Sequence, residues 1–183
     1  KIETIRVGQF PDLIFVQVHT DTGLIGLGET WYAASTVESA IHDHFGPLLI
    51  GRDPAEIERH WQTMFRLSDH AGYGGAELRA ISALDVALWD IAGKAAGVPT
   101  YMLLGGKSRD RVRVYRGVGG TTPEELAEAA MALKEEGYSA FKTSPYKLDP
   151  DAHRWGRVCS EAAKYFEELR ANTPDDWEFA FDP

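Results

Sequence analysis

The feature that most constrains this chain is a change of pattern at Gly105-Gly106. Beyond it, strand and helix patterns alternate with short connections. Val112–Val118 reads as a strand, Thr122-Pro123-Glu124-Glu125 opens a helix running to Glu136, and Gly137 ends that helix. Tyr138–Ser144 is the next strand. Asp149-Pro150 starts a helix that ends near Ala171, and Trp177–Asp182 is a third strand. This order is the signature of parallel βα units, because parallel neighbours need a crossover long enough to hold a helix. Three strands cannot close a barrel. Eight βα units take roughly 250 residues, whereas this chain has 183 in all. The expectation is therefore the start of a (β/α) TIM-like barrel over 108–183, incomplete in this chain. A complete small three-stranded α/β domain is the alternative.

Residues 1–107 read differently, as an α+β capping domain. Leu13–Val18 is rich in β-branched and aromatic residues, Thr20–Gly23 supplies a turn, and Leu24–Glu29 returns as a second strand. Ile2–Val7 is a third. Gly26 and Gly28 alternate on the returning strand and leave one face bare, where another backbone can approach closely. From Ser35 the pattern turns helical. Ser35 with Glu38 has capping-box spacing, and Asp53-Pro54 with Glu56 gives a second start signal. Glu77–Ala96 carries Leu78, Ile81, Leu84, Leu88 and Ile91 at spacings of three and four, and its alanines allow close packing. Gly97-Val98-Pro99 stops it.

The formal net charge of −9 argues against binding to a phosphate backbone, so no nucleic-acid partner is expected. A single cysteine, Cys159, cannot form an internal disulfide, which fits a reducing cytoplasm. No run approaches the roughly 18 apolar residues that span a bilayer, so no membrane partner is expected. No signal peptide is visible, and the chain opens at Lys1. His42 and His44 stand two apart on a helix, hence not on one face, and are read as solvent-facing or capping residues.

Alternation decides which strand residues face a barrel lumen. If Phe141 and Thr143 turn toward the outer helices, Lys142 and Ser144 point inward; if Trp177, Phe179 and Phe181 turn outward, Glu178, Ala180 and Asp182 point inward. Parity alone thus converges a lysine and an aspartate from adjacent strands at the C-terminal ends, where barrel active sites sit.

The stretch Ala80-Ile-Ser-Ala-Leu-Asp-Val-Ala-Leu-Trp-Asp-Ile-Ala-Gly-Lys94, continuing through Val98-Pro99 to Leu103-Leu104-Gly105, resembles the signature of the mandelate racemase and muconate lactonizing enzyme family of the enolase superfamily. The stretch itself reads as scaffold: Asp85, Asp90 and Lys94 are placed to pair with neighbours rather than to do chemistry. The resemblance covers the whole chain and implies a lid domain followed by barrel strands. It also implies a Mg²⁺-dependent lyase that abstracts the proton α to a carboxylate, with Asp182 as a metal ligand. A hard cation with oxygen ligands would stabilise the dianionic enediolate. Lys142 takes the first position of the family's Lys-x-Lys and is the catalytic candidate, adding positive charge beside the carboxylate.

Ser144 stands where the racemases carry their second lysine. That departure argues against a two-base racemase and for an acid-sugar dehydratase acting on a galactonate-, gluconate- or mannonate-like acid. A racemase, a cycloisomerase or an inactive barrel with a binding role are the alternatives. Tyr146 is a candidate acid or binding group, with a plain loop residue as the competing reading, and Ser144 is a candidate substrate contact. The lid of this family supplies specificity through two mobile loops, for which Gly8–Asp12 and Ser68–Gly75 are the candidates. They offer Asp12, His70 and Tyr73 as substrate-binding residues. A homo-oligomer is expected.

Overall fold

The computed structural model describes residues 1–71, 74–144 and 154–181. It divides into two compact units, 1–108 and 109–183.

The first unit opens with an antiparallel meander, β1 (Ile2–Val7), β2 (Phe10–His19) and β3 (Ile25–Trp31), in the order β1-β2-β3. Every pair of the β2–β3 hairpin, from Leu13↔Trp31 to His19↔Ile25, is symmetric about Thr22. The turn thereby sets the register. One face of β2 supplies Ile14, Val16 and Val18 to the core. After β3 come α1 (Ala34–Ser39), a π-helical turn (Ala40–Phe45), α2 (Gly46–Leu49) and α3 (Ile57–Ser68). A short 3₁₀ turn (Asp69–Ala71), α4 (Ala76–Ala96) and α5 (Thr100–Leu103) complete the unit.

The central packing event is α4 against β3. A Cβ at Gly26 would overlap the Ala87 carbonyl oxygen and lie 2.6 Å from Ile91 Cγ1. One at Gly28 would overlap the Ala83 carbonyl oxygen. The bare strand face expected from the alternate glycines is therefore filled by helix backbone, and alanines on α4 make the approach mutual. Gly97 ends α4 in the left-handed conformation (φ 69°), which glycine adopts at no steric cost.

Two helix starts differ from the sequence reading. Ser35 and Glu38 do not cap α1, which begins behind Ala33 without a side-chain cap. Both are taken instead by Arg6 of β1, whose Nη2 donates to Ser35 Oγ (2.7 Å) and whose Nε pairs with Glu38 Oε2 (2.9 Å). The Asp53-Pro54 signal makes a turn, with Ala55 N–H donating to Asp53 Oδ1 (2.9 Å), and α3 starts only at Ile57. His42 meets Thr4 (Nε2···Oγ1 2.9 Å) and His44 is exposed.

The second unit contains β4 (Arg116–Gly117), α6 (Pro123–Ala132), β5 (Ala140–Thr143), α7 (Trp155–Ala171) and β6 (Glu178–Phe181), with the strands parallel in the order β4-β5-β6. Thr122 caps α6 by accepting from Glu125 N–H (3.2 Å). The strand expected over Val112–Val118 contracts to two residues. Val112 and Val114 stay 71% and 61% exposed, so no burial supports extending it. The expected helix start at Asp149-Pro150 lies outside the described residues. No helix among the described residues is long and apolar enough to cross a membrane.

Candidate functional site

In the second unit, the position of Lys142 follows from what its neighbours bury. Phe141 is fully buried, 4.8 Å from the Trp177 ring and 5.8 Å from the Phe179 ring, and this aromatic group packs with Ala130 of α6. Strand alternation then puts Lys142 on the opposite face of the sheet, half-buried. The register Gly117↔Lys142↔Ala180 places it between the two smallest neighbours available, so no bulky side chain crowds it across the sheet. Its carbonyl accepts from Val118 N–H (3.0 Å), which fixes the end of β4 against β5. Ser144 is exposed just past the end of β5. Glu178 shares the Lys142 face at the start of β6 and pairs with Arg113 (2.7 Å). Tyr146 and Asp182 lie outside the described residues.

In the first unit, the two expected loops are built differently from one another. Gly8 and Gln9 form a tight turn, and Phe10–Asp12 belong to β2 rather than to an open loop. The β1–β2 register jumps between Arg6↔Ile14 and Val7↔Phe10, so Asp12 sits in an irregularity opposite β1. Bulges of this kind re-aim side chains at the edge of a site. Asp12 is exposed, and its carbonyl accepts from Tyr32 N–H (3.0 Å). His70 is exposed in the 3₁₀ turn after α3, and Tyr73 lies outside the described residues.

A feature beside Asp12 was not legible as a site from composition. Tyr32 and Ala33 both have positive φ (78° and 54°), a conformation that costs a non-glycine residue roughly 1–3 kcal/mol. Arg79, in the first turn of α4, donates from Nη1 to Trp31 O (2.6 Å) and places its guanidinium carbon 5.5 Å from the centre of the Tyr32 ring. Trp31 and Tyr32 remain 52% and 61% exposed. Asp12 and Arg79 of α4 thus both hold the Trp31–Tyr32 turn. Asp12 carries the acceptor for Tyr32 N–H, and Arg79 grips Trp31 and Tyr32 from the first turn of α4. The hairpin symmetry about Thr22, which continues to place Asp12 opposite Tyr32, was the signal that could have found this pairing.

The signature acids of α4 separate into two kinds. Asp90 Oδ2 accepts from Leu27 N–H (2.8 Å) and from Lys94 Nζ (2.7 Å), while Lys94 also donates to Ile25 O (2.6 Å). The pair satisfies the outward backbone groups of edge strand β3 and so seals that edge. Asp85 shares a cleft with Glu58, Trp61 and Trp89; burial, then the Glu58 charge, raises its carboxyl above the ordinary range. Among the described residues no three His, Cys, Asp or Glu side chains gather to hold a metal ion.

The sequence profile of the mandelate racemase/muconate lactonizing enzyme N-terminal domain matches residues 5–105. A D-galactonate dehydratase from Variovorax paradoxus (strain S110) is 46% identical over 144 residues, covering 78% of this chain and 37% of that protein. Another from Xanthomonas oryzae pv. oryzae (strain PXO99A) is 43% identical over 170 residues, covering 90% and 44%. Among solved structures, an enolase from Agrobacterium radiobacter with bound Na and L-malate superposes with a TM-score of 0.83 at 38% identity, covering 100% of this chain and 47% of that one. The 3,6-anhydro-D-galactonate cycloisomerase from Zobellia galactanivorans superposes with a TM-score of 0.77 at 31% identity, covering 100% and 50%. The chain spans less than half the length of these curated relatives. The matched profile, a capping unit sealed by its signature helix and a run of parallel βα units together establish that this chain belongs to the mandelate racemase/muconate lactonizing enzyme family of the enolase superfamily.

Proposed function

We propose that this chain belongs to a Mg²⁺-dependent acid-sugar dehydratase acting on a galactonate-like acid. The observation that carries the reading is the 46% identity to a D-galactonate dehydratase, which extends beyond the lid into the barrel strands. Ser144, where the racemases have their second lysine, supports a dehydratase over a two-base racemase. The reaction removes the proton α to the carboxylate and expels the β-hydroxyl as water. The resulting enol tautomerises to a 2-keto-3-deoxy acid.

Lys142 would stand beside the substrate carboxylate and stabilise the negative charge that builds there once the proton leaves; a cation so placed in a site shielded from water is worth far more than in solution. Its cross-strand partners Gly117 and Ala180 are both small, which supports this reading. The described residues do not themselves assemble a metal donor set. Mg²⁺ therefore rests on family membership, with Asp182 as the ligand proposed, and its contribution when bound is Lewis-acid stabilisation of the enediolate.

The test is a panel of sugar acids incubated with the full-length protein in Mg²⁺ and in EDTA, with the 2-keto acid measured as its semicarbazone. Galactonate should be dehydrated only with the metal present. Lys142→Ala should then lower kcat by about a thousandfold, the scale of losing one preorganised charge contact, without lowering the melting temperature. Absence of metal-dependent dehydration from every acid would overturn the reading, and retained turnover in Lys142→Ala would remove the role given to that lysine.

A further inference from the structure

One side chain, Arg113, ties together the approaches to β4, β5 and β6. It lies just before β4 and donates from Nη2 to Ser139 Oγ (3.1 Å), just before β5. Through Nη1 it pairs with Glu178 Oε1 (2.7 Å), at the first residue of β6. The two side chains of this ion pair are 53% and 66% exposed, and a pair that open to water is worth little to stability. Its place on the sheet gives it another use. The register Ala140↔Glu178 and Lys142↔Ala180 puts Glu178 on the Lys142 face, one row nearer the strand starts. Diagonal neighbours of this kind have Cβ atoms roughly 7–8 Å apart, a gap that a lysine side chain can cross. Ala140 and Ala180 are too small to stand between them. A carboxylate at that spacing competes for an ammonium group and would draw it toward the strand starts, away from the C-terminal ends where barrel chemistry sits.

We propose that Arg113 is a positioning residue: by engaging the Glu178 carboxylate, it keeps that group from pulling the Lys142 ammonium toward the strand starts and out of reach of the substrate carboxylate. The role of Lys142 rests on the acid-sugar reading above; the competition between Arg113 and Lys142 for Glu178 does not. Arginine suits the task because its fork serves two acceptors at once, the Ser139 hydroxyl fixing the guanidinium while the other nitrogen holds the carboxylate. The arrangement also sets the sign of each substitution. Removing Arg113 releases a carboxylate beside Lys142, whereas removing the Glu178 charge releases nothing that competes for the lysine.

Variants of the full-length enzyme test this by two readouts, turnover of D-galactonate with Mg²⁺ and the position of Lys142 in crystals. Arg113→Ala should lower kcat by about tenfold, the mark of a charge contact weakened in the transition state. Glu178→Gln should keep kcat within about twofold of wild type, and the double variant Arg113→Ala/Glu178→Gln should recover to within about threefold. Arg113→Lys, which keeps the charge, should lose less than Arg113→Ala. Arg113→Gln should match the alanine variant and replaces it if that protein does not fold. A pair that served the fold alone would give another order, with both single variants impaired and the double no better than either. In crystals of Arg113→Ala, Lys142 Nζ should lie within about 4 Å of a Glu178 oxygen, the range of an ion pair. Full activity in Arg113→Ala, or a double variant as slow as Arg113→Ala, overturns the catalytic positioning. Lys142 still apart from Glu178 in those crystals overturns the competition. A wild-type enzyme inactive on every sugar acid defeats the acid-sugar reading, while the crystals still decide the competition.

Discussion

Asp85 and Asp90 are five positions apart in one signature helix, yet their surroundings give them opposite energetic signs. Asp90 is fully employed, accepting from the β3 backbone and from Lys94. Asp85 lies partly buried beside Trp61 and Trp89 and feels the charge of Glu58. Because its native pKa is raised, chiefly by burial and then by Glu58, the native state holds that proton more tightly than the unfolded chain does. Stability from this group is therefore greatest below the ordinary Asp value of 3.8 and declines as pH rises through the raised native value. Asp85→Asn should consequently stabilise the protein near neutral pH. The gain should stay under about 1 kcal/mol, because a carboxylate that is only partly buried is screened by water. It should vanish on acidification below the carboxylate range. Thermal melts of both proteins at neutral and acidic pH check this, and an equal effect at the two would refute the assignment. The sequence identified both acids as structural; which one carries a cost depends first on burial and then on Glu58 from α3, and no local spacing connects either to Asp85.

At the scale of elements, much of the fold was legible wherever local signals and burial agree. The hairpin about Thr22, the α4 stripe with its Gly97 stop, and the Thr122 cap of α6 all follow from short-range rules. The misreadings share a different cause: competition from distant residues or lack of cover. Arg6 draws Ser35 and Glu38 away from the α1 start, and Val112–Tyr115 shows strand-like composition without a face to bury it against. The glycines of β3 join both kinds of information, since their spacing is local but their reason is the helix behind them. A Cβ at Gly28 would overlap the Ala83 carbonyl oxygen and approach Ala87 N to 3.2 Å, contacts with backbone that cannot rotate aside. Gly28→Ala should therefore force α4 from the sheet and cost about 3 kcal/mol, the upper range for overpacking. A Gly8→Ala control, with nothing within 4 Å of the added carbon, should cost far less. Urea unfolding of the two variants measures the difference; similar midpoints would mean that the close β3–α4 approach is not what holds this unit together.

Across the whole molecule, the two units differ in how completely each satisfies itself. Among the described residues, unit 1–108 holds a contiguous core of eighteen buried residues drawn from β2 and from helices on its one covered side, with Trp61, Phe65 and Trp89 packed against it. Unit 109–183 has two small clusters among the described residues, Leu126, Ala127 and Leu169 in one and Ala130, Phe141 and Trp177 in the other. Its three strands are parallel, and parallel sheets are stable when both faces are covered. Here Phe141 and Phe179 cover one face, whereas Glu178 and Ala180 on the other are exposed. That imbalance explains why the catalytic candidates were only half legible. Parity assigned Lys142 its face, but what a lumen residue does depends on strands further round a barrel. It also yields a prediction about folding. Residues 1–108 expressed alone should unfold cooperatively, since a core of this kind suffices for a domain of about 100 residues. Residues 109–183 alone should show helical circular dichroism without a cooperative thermal transition, because α6 and α7 then have too little buried sheet to hold them. A sharp transition in the isolated second piece would mean that its small clusters are sufficient, and that the βα units of this fold gain cooperativity before the sheet closes.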